Sequence, residues 1–125
     1  MQILVVDANF LMSAYKFKVD AMGGLYELFP GGFRLVTSNS ILEELKGLAK
    51  KRSDVGKGAA YSLWVLEKNR AEVISTNEKA DDWVVSYCAK NSAIACTNDA
   101  ELRKRLKSQG IKSIVLKGRS TLDCV

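Results

Sequence analysis

Four acidic side chains fall where carboxylates could hold a divalent cation. Asp7 directly follows the apolar run Gln2–Val6 (QILVV), and Asp99 follows Ser92–Cys96 (SAIAC) across Thr97-Asn98. Asp and Asn are also favoured helix N-caps, so each position has a structural reading beside the chemical one. Asn98 with Glu101 has capping-box spacing. Glu44 is picked out by helical phase. Ile41, Leu45 and Leu48 recur at i, i+4, i+7 as an apolar stripe. At ~100° per residue, Glu44 falls between Ile41 and Leu48 on that stripe. Glu43 points away, and Ser40-x-x-Glu43 reads as a capping box. The same phase test puts Asp81 in line with Val84, Val85 and Cys88, with Asp82 to its side. Both are also first-turn acids of the kind a helix dipole favours.

An inward carboxylate needs a cation or a donor, because an unpaired buried charge is costly. For Glu44 a Lys or Arg partner is the alternative to a metal. Asp7, Glu44, Asp81 and Asp99 belong to separate strand–helix units that could face one crevice. Clustered acids repel, and without a counter-cation some stay protonated. One or two Mg²⁺ or Mn²⁺ ions, which prefer oxygen ligands, remove the conflict. Metal-bound carboxylate clusters of this kind perform phosphoryl chemistry. The chain has no histidine, which excludes Ser–His–Asp and Cys–His catalysis and His-ligated zinc. Its cysteines, at 88, 96 and 124, lack CxxC spacing and give neither a disulfide framework nor a zinc site. Cys88 and Cys96 read as reduced, buried thiols.

The elements that must position these acids alternate. Short apolar runs at Gln2–Val6, Phe33–Thr37, Ala71–Ser75, Ser92–Cys96 and Lys112–Leu116 read as strands. Helices are expected over Phe10–Tyr15, Ala21–Phe29 (interrupted near Gly23-Gly24), Ser40–Lys51, Gly56–Arg70, Ala80–Lys90 and Ala100–Gln109. Pro30-Gly31-Gly32 is a turn, and Gly110 closes the last helix as a C′ residue. Arg119–Val125 reads as a loose tail or a short edge segment. Such alternation implies an α/β three-layer sandwich around a central five-stranded parallel sheet. Right-handed crossovers bring all strand C-termini to one edge, where open sheets carry their ligands.

Length and composition agree. The 125 residues, 47% hydrophobic and 26% charged, suit one soluble domain spanning 1–125. The start MQILVVDANF lacks a basic leader region, and no apolar run approaches the roughly 18 residues of a membrane span. A cytoplasmic protein with no membrane partner is expected. The net charge of +5, from 19 Lys+Arg against 14 Asp+Glu, favours a polyanionic partner. Lys50, Lys51, Arg52, Arg103 and Arg105 stand in two basic clusters and are candidates for phosphate contact. Their other reading is of cations at helix C-termini. Gly56-Lys57-Gly58 is no P-loop, since the Gly-x4-Gly-Lys spacing is absent. Trp64 and Trp83 read as core or dimer-interface residues more than as base-stacking platforms.

Four segments together resemble a known family. Strand-Asp7-x-Asn9, Ile41-Leu42-Glu43-Glu44-Leu45, Ala80-Asp81-Asp82-Trp83-Val84-Val85, and Thr97-Asn98-Asp99 followed by Leu102 are similar, in order and spacing, to the motifs of PIN domains. That is the nuclease fold of VapC-type toxins and of rRNA-processing nucleases. With Arg103-Lys104-Arg105, the Ala-Asp-Asp and Thr-Asn-Asp forms look closer to the archaeal and eukaryotic rRNA-processing branch. The resemblance implies a Mg²⁺- or Mn²⁺-dependent endoribonuclease that cleaves single-stranded RNA by metal-activated water. It implies Asp7, Glu44, Asp81 and Asp99 as the metal-binding quartet, with Asp82 the alternative to Asp81, and Asn9 and Thr97 as polar supports behind them. It implies frequent homodimers and, for a toxin, a cognate antitoxin. The toxin and rRNA-processing roles both fit. A different class also fits, a non-catalytic α/β module that binds RNA or protein and uses its acids as caps and salt bridges.

Overall fold

The computed structural model describes residues 1–117 and 121–125. Strand β1 (Gln2–Val6) leads into helices α1 (Ala8–Phe17) and α2 (Ala21–Leu28). β2 (Phe33–Ser38) is followed by α3 (Asn39–Ala49) and α4 (Asp54–Lys68). Then come β3 (Glu72–Ile74), α5 (Ala80–Asn91), β4 (Ile94–Cys96), α6 (Ala100–Ser108), β5 (Ser113–Lys117) and β6 (Thr121–Cys124). The sheet order is β3-β2-β1-β4-β5-β6. The expected parallel strands pair as β3–β2, β2–β1, β1–β4 and β4–β5. β6 adds a sixth, antiparallel edge strand, with Leu116 opposite Leu122. The reading of Arg119–Val125 as an edge segment thus holds for Thr121–Cys124, and Arg119 and Ser120 lie outside the described residues.

β1 sits at the centre, so Leu4, Val5 and Val6 are covered on both faces and almost wholly buried, as parallel strands require. Phe10, Leu11, Leu25, Ile41, Leu45, Leu102 and Leu106 cover them from the helices. Cys88 and Cys96 are buried thiols in this core. Trp83 is buried, whereas Trp64 is 55% exposed with the Lys68 ammonium 4.7 Å from its ring. The core reading therefore holds for Trp83 alone.

Several boundaries move for local reasons. α2 runs unbroken through Gly23-Gly24. Asp20 caps it by accepting from the Gly23 N–H, and a side chain at Gly24 would meet Leu122 of β6. The break falls earlier, at Lys18, which adopts a left-handed conformation (φ 56°). α3 starts at Asn39 and is capped by Ser38, whose hydroxyl accepts from the Ile41 N–H. The Ser40–Glu43 capping box does not form. β4 begins only at Ile94, because Ser92 (φ 51°) is the left-handed cap of α5. Gly110 (φ +71°) closes α6 as expected.

Candidate active site

β1 and β4 are parallel neighbours in register from Leu4–Ile94 to Val6–Cys96, so their following residues meet at one sheet edge. Asp7 and Asp99 are those residues, and each caps the helix it introduces. The capping and chemical readings are compatible, because capping occupies only part of each carboxylate. Asp7 is 3% exposed. Its Oδ1 accepts from the Ala8 N–H at 2.9 Å, and its Oδ2 accepts from Asn9 Nδ2 at 2.8 Å and Thr97 Oγ1 at 3.0 Å. Asp99 Oδ1 accepts from the N–H groups of Glu101 and Leu102. Its Oδ2 has no hydrogen-bond partner among the described residues.

A small polar network fixes this geometry. Thr97, fully buried, donates to Asp7 and accepts from the Asp99 N–H at 3.1 Å. Its single proton favours the charged Asp7 oxygen over Asn9 Oδ1, 3.3 Å away. Asn9 Oδ1 also accepts from the Asn98 N–H at 2.8 Å, tying α1 to the β4–α6 turn. The Asn98 side chain does not make the expected capping box with Glu101. Asp99 caps α6 instead, and Asn98 Oδ1 accepts from the Leu116 N–H, pinning that turn to β5.

Burial dominates the electrostatics of Asp7. It pushes the carboxyl up from 3.8 to about 6, against the hydrogen bonds from Thr97 and the Ala8 N–H, with Asp81 and Glu44 adding repulsion. Glu44 and Asp81 are both exposed by surface area and stand at the rim of the crevice rather than inside it. Their carboxyls are nonetheless pushed up, Glu44 by partial desolvation and then by Asp81. For Asp81 desolvation leads, followed by repulsion from Asp99. Arg105 opposes that rise, and Asp82 adds to it. The couplings link all four carboxylates, Asp7 with Asp81 and Glu44, Glu44 with Asp81, and Asp81 with Asp99. Asp82 turns away into an ion pair with Arg105 at 2.8 Å.

Four carboxylates, of which only Asp81 feels a guanidinium (Arg105) among the described residues, offer oxygen donors of the kind Mg²⁺ or Mn²⁺ prefers. Among the described residues, no three Asp, Glu or Cys side chains form a ready-made metal-holding group. Mg²⁺ usually keeps several waters and takes only one or two carboxylates directly. By chemistry the donor set fits such an ion, which Asp7 and Asp99 would hold with Glu44 and Asp81 beside them.

The basic candidates divide. Lys50, Lys51 and Arg52 are exposed beyond the end of α3. A groove of about 980 Å³ opens between α1 and α4, and Asn9, Asp54 and Val55 line it. Only Asn9 of the polar network reaches that groove, so it lies beside the carboxylates and not on them. Arg103 is half-buried, and Arg105 is engaged by Asp82. Sequence reasoning missed Asn39, whose side chain donates to the Thr76 carbonyl and accepts from the Thr76 N–H. It thereby holds the loop that carries α5 and Asp81. Asn in a strand–helix turn was the available signal.

The model of the family described as PIN like domain matches residues 4–119. The chain is 35% identical to Ribonuclease VapC9 of Archaeoglobus fulgidus over 108 residues, 86% of this chain and 77% of that one. It is 32% identical to Ribonuclease VapC4 of Methanocaldococcus jannaschii over 123 residues, 96% of this chain and 94% of that one. Among solved structures, the PIN domain endonuclease Utp24 superposes with a TM-score of 0.81 at 21% identity, over 98% of this chain and 90% of that one. VapBC2 from Rickettsia felis, bound to a DNA fragment from its promoter, gives 0.64 at 16% identity, over 93% of this chain and 100% of that one. The fold and the family match define a PIN-domain α/β protein of the nuclease type. This chain belongs to the PIN-like domain family.

Proposed function

We propose that the protein is a divalent-metal-dependent endoribonuclease acting on single-stranded RNA. The observation that carries this reading is Asp7, a buried carboxylate held by Thr97 and Asn9 and repelled by Asp81 and Glu44, with no ion pair of its own among the described residues. Burial lifts its carboxyl to about 6, a cost that a bound cation would offset. Bound Mg²⁺ or Mn²⁺ would neutralise the cluster, activate water and stabilise the leaving oxygen. Asp7 and Asp99 would hold the ion, with Glu44 and Asp81 completing the site. Thr97 and Asn9 orient Asp7 so that its oxygens keep one arrangement throughout. Lys50, Lys51, Arg52 and Arg103 would hold RNA phosphates on either side of the acidic crevice.

The two relatives named as VapC ribonucleases favour the toxin role, with a cognate antitoxin as partner, over rRNA processing. The reading includes one nuclease domain over residues 1–125, a homodimer and a cytoplasmic location. No helix among the described residues is long and apolar enough to cross a membrane. The test is cleavage of an unstructured RNA in Mn²⁺ and in Mg²⁺, each against EDTA. Cleavage only with the metal supports the reading. Equal cleavage in EDTA, or none in either metal, overturns it in favour of a binding module.

A further inference from the structure

A second groove, of about 480 Å³, runs down the flank of the sheet between α6 and β5. It begins at Ala100, next to Asp99, and ends at Lys112 beside Val125. Arg103, Lys104, Lys107 and Lys112 line it, and no acidic side chain does. None of the four takes part in an ion pair among the described residues. Arg103 Nε is buried with no hydrogen-bond partner among the described residues, a donor that normally finds an acceptor. Arg105, elsewhere on the same helix, is spent on Asp82, so the free cations are those that line the groove. At 1.5 Å per residue, α6 carries Arg103, Lys104 and Lys107 up to ~12 Å from Asp99, and Lys112 stands just before β5.

A strand whose cut phosphate sits among four carboxylates gains nothing there for its neighbouring phosphates. Those must be neutralised outside the acidic crevice, and this groove starts at Ala100, the residue after Asp99. We propose that it carries the sugar–phosphate backbone of the RNA on one side of the cut, an inference that rests on the ribonuclease reading above. Arg103 meets the phosphate nearest the site, and Lys104, Lys107 and Lys112 meet those beyond.

The experiment is fluorescence anisotropy with a labelled oligouridylate of about 12 nucleotides, within the range single-strand binders cover, in EDTA at several salt concentrations. The Lys107→Ala/Lys112→Ala protein is compared with Lys68→Ala/Lys90→Ala, which loses the same charge elsewhere. Each single-strand phosphate contact contributes about 0.7 to the slope of log K against log salt. The groove variant should lose about 1.4 of that slope and bind about tenfold more weakly at low salt. The control should lose little of either. Should alanine lower the melting temperature, Lys107→Gln/Lys112→Gln takes its place. Equal affinity and slope in the two double variants overturns the groove, even where Mn²⁺-dependent cleavage persists. Displacement of the RNA by polyglutamate at lower charge concentration than by unlabelled RNA also overturns it, in favour of an acidic protein partner. A slope difference in a protein that never cuts RNA supports the groove and overturns the nuclease reading alone.

Discussion

Thr97 Oγ1 donates to Asp7 Oδ2 at 3.0 Å while accepting from the Asp99 N–H at 3.1 Å. One buried hydroxyl therefore spaces the two innermost acids of the site, which stand at the ends of β1 and β4. Replacing it with Thr97→Val keeps the shape and deletes both bonds. The Asp99 N–H then lacks its partner and Asp7 Oδ2 keeps only Asn9 Nδ2, which costs about 1–3 kcal/mol of stability. The Asp7 carboxyl should titrate still higher, because the Thr97 hydrogen bond is what most opposes the rise. Carboxyl ¹³C NMR titration checks the shift, and Thr97→Ser should restore it.

Metal-free stability should depend on pH through Asp7. Its carboxyl holds a proton more tightly folded (about 6) than at its ordinary value of 3.8. Its contribution is fully present below pH 3.8 and is lost as pH rises through about 6. A shift of this size corresponds to about 3 kcal/mol. Glu44 and Asp81, also raised, act in the same direction. Urea unfolding in EDTA from pH 4 to 7.5 should show this loss in the wild type and much less of it in Asp7→Asn. Saturating Mn²⁺ at pH 7.5 should recover it in the wild type alone, with a gain of about 2.7 kcal/mol at a hundredfold excess over Kd.

The neighbouring acids of α5 should separate by function. Asp82 and Arg105 form an exposed ion pair, so Asp82→Asn should cost under about 1 kcal/mol and leave cleavage largely intact. Asp81→Asn should abolish cleavage. Arg105→Ala should raise the Asp81 carboxyl, since Arg105 holds it down. The acid limb of the pH–rate profile should then move to higher pH. Equal activity of the two Asp→Asn proteins would count against Asp81 as the ligand.

The α3–α4 corner depends on a close backbone approach. A side chain at Gly56 would collide with the Lys51 carbonyl oxygen, so Gly56→Ala should destabilise by about 1–3 kcal/mol or more. Gly47, within α3, has nothing near its missing Cβ. Gly47→Ala should therefore stabilise by about 0.5–1 kcal/mol. Thermal melts of the two proteins should move in opposite directions.

Much of this arrangement is legible in the chain. QILVV ending in Asp7 and the alternation of apolar runs with helices determine a parallel sheet and its functional edge. Helical phase separates Asp82, which pairs with Arg105, from Asp81, which is repelled by Asp99. Phase says nothing about depth, however. Glu44, midway along α3, and Asp81, in the first turn of α5, stand at the crevice rim and are exposed despite sharing a stripe with buried neighbours. The caps were misplaced where several candidates stand together, as at Ser38-Asn39-Ser40 and Asn98-Asp99, because sheet register decides which residue leaves the strand last. The sequence leaves Arg119–Val125 open between a loose tail and an edge segment, because a short antiparallel edge strand such as β6 depends on pairing with β5 and carries little pattern of its own. The roles of Asn98 and Asn39 also lie in partners distant in sequence, Leu116 and Thr76.

The central claim is that Asp7 is a metal-binding catalytic carboxylate and not merely the cap of α1. Asp7→Asn preserves the cap, the size and most hydrogen bonds while removing one charge. The decisive measurement pairs a thermal melt in EDTA with single-stranded RNA cleavage in Mn²⁺ for wild type and Asp7→Asn. The account predicts a mutant that melts at or above the wild-type temperature and cuts slower by orders of magnitude. A mutant that melts like the wild type and cuts at the wild-type rate would contradict it.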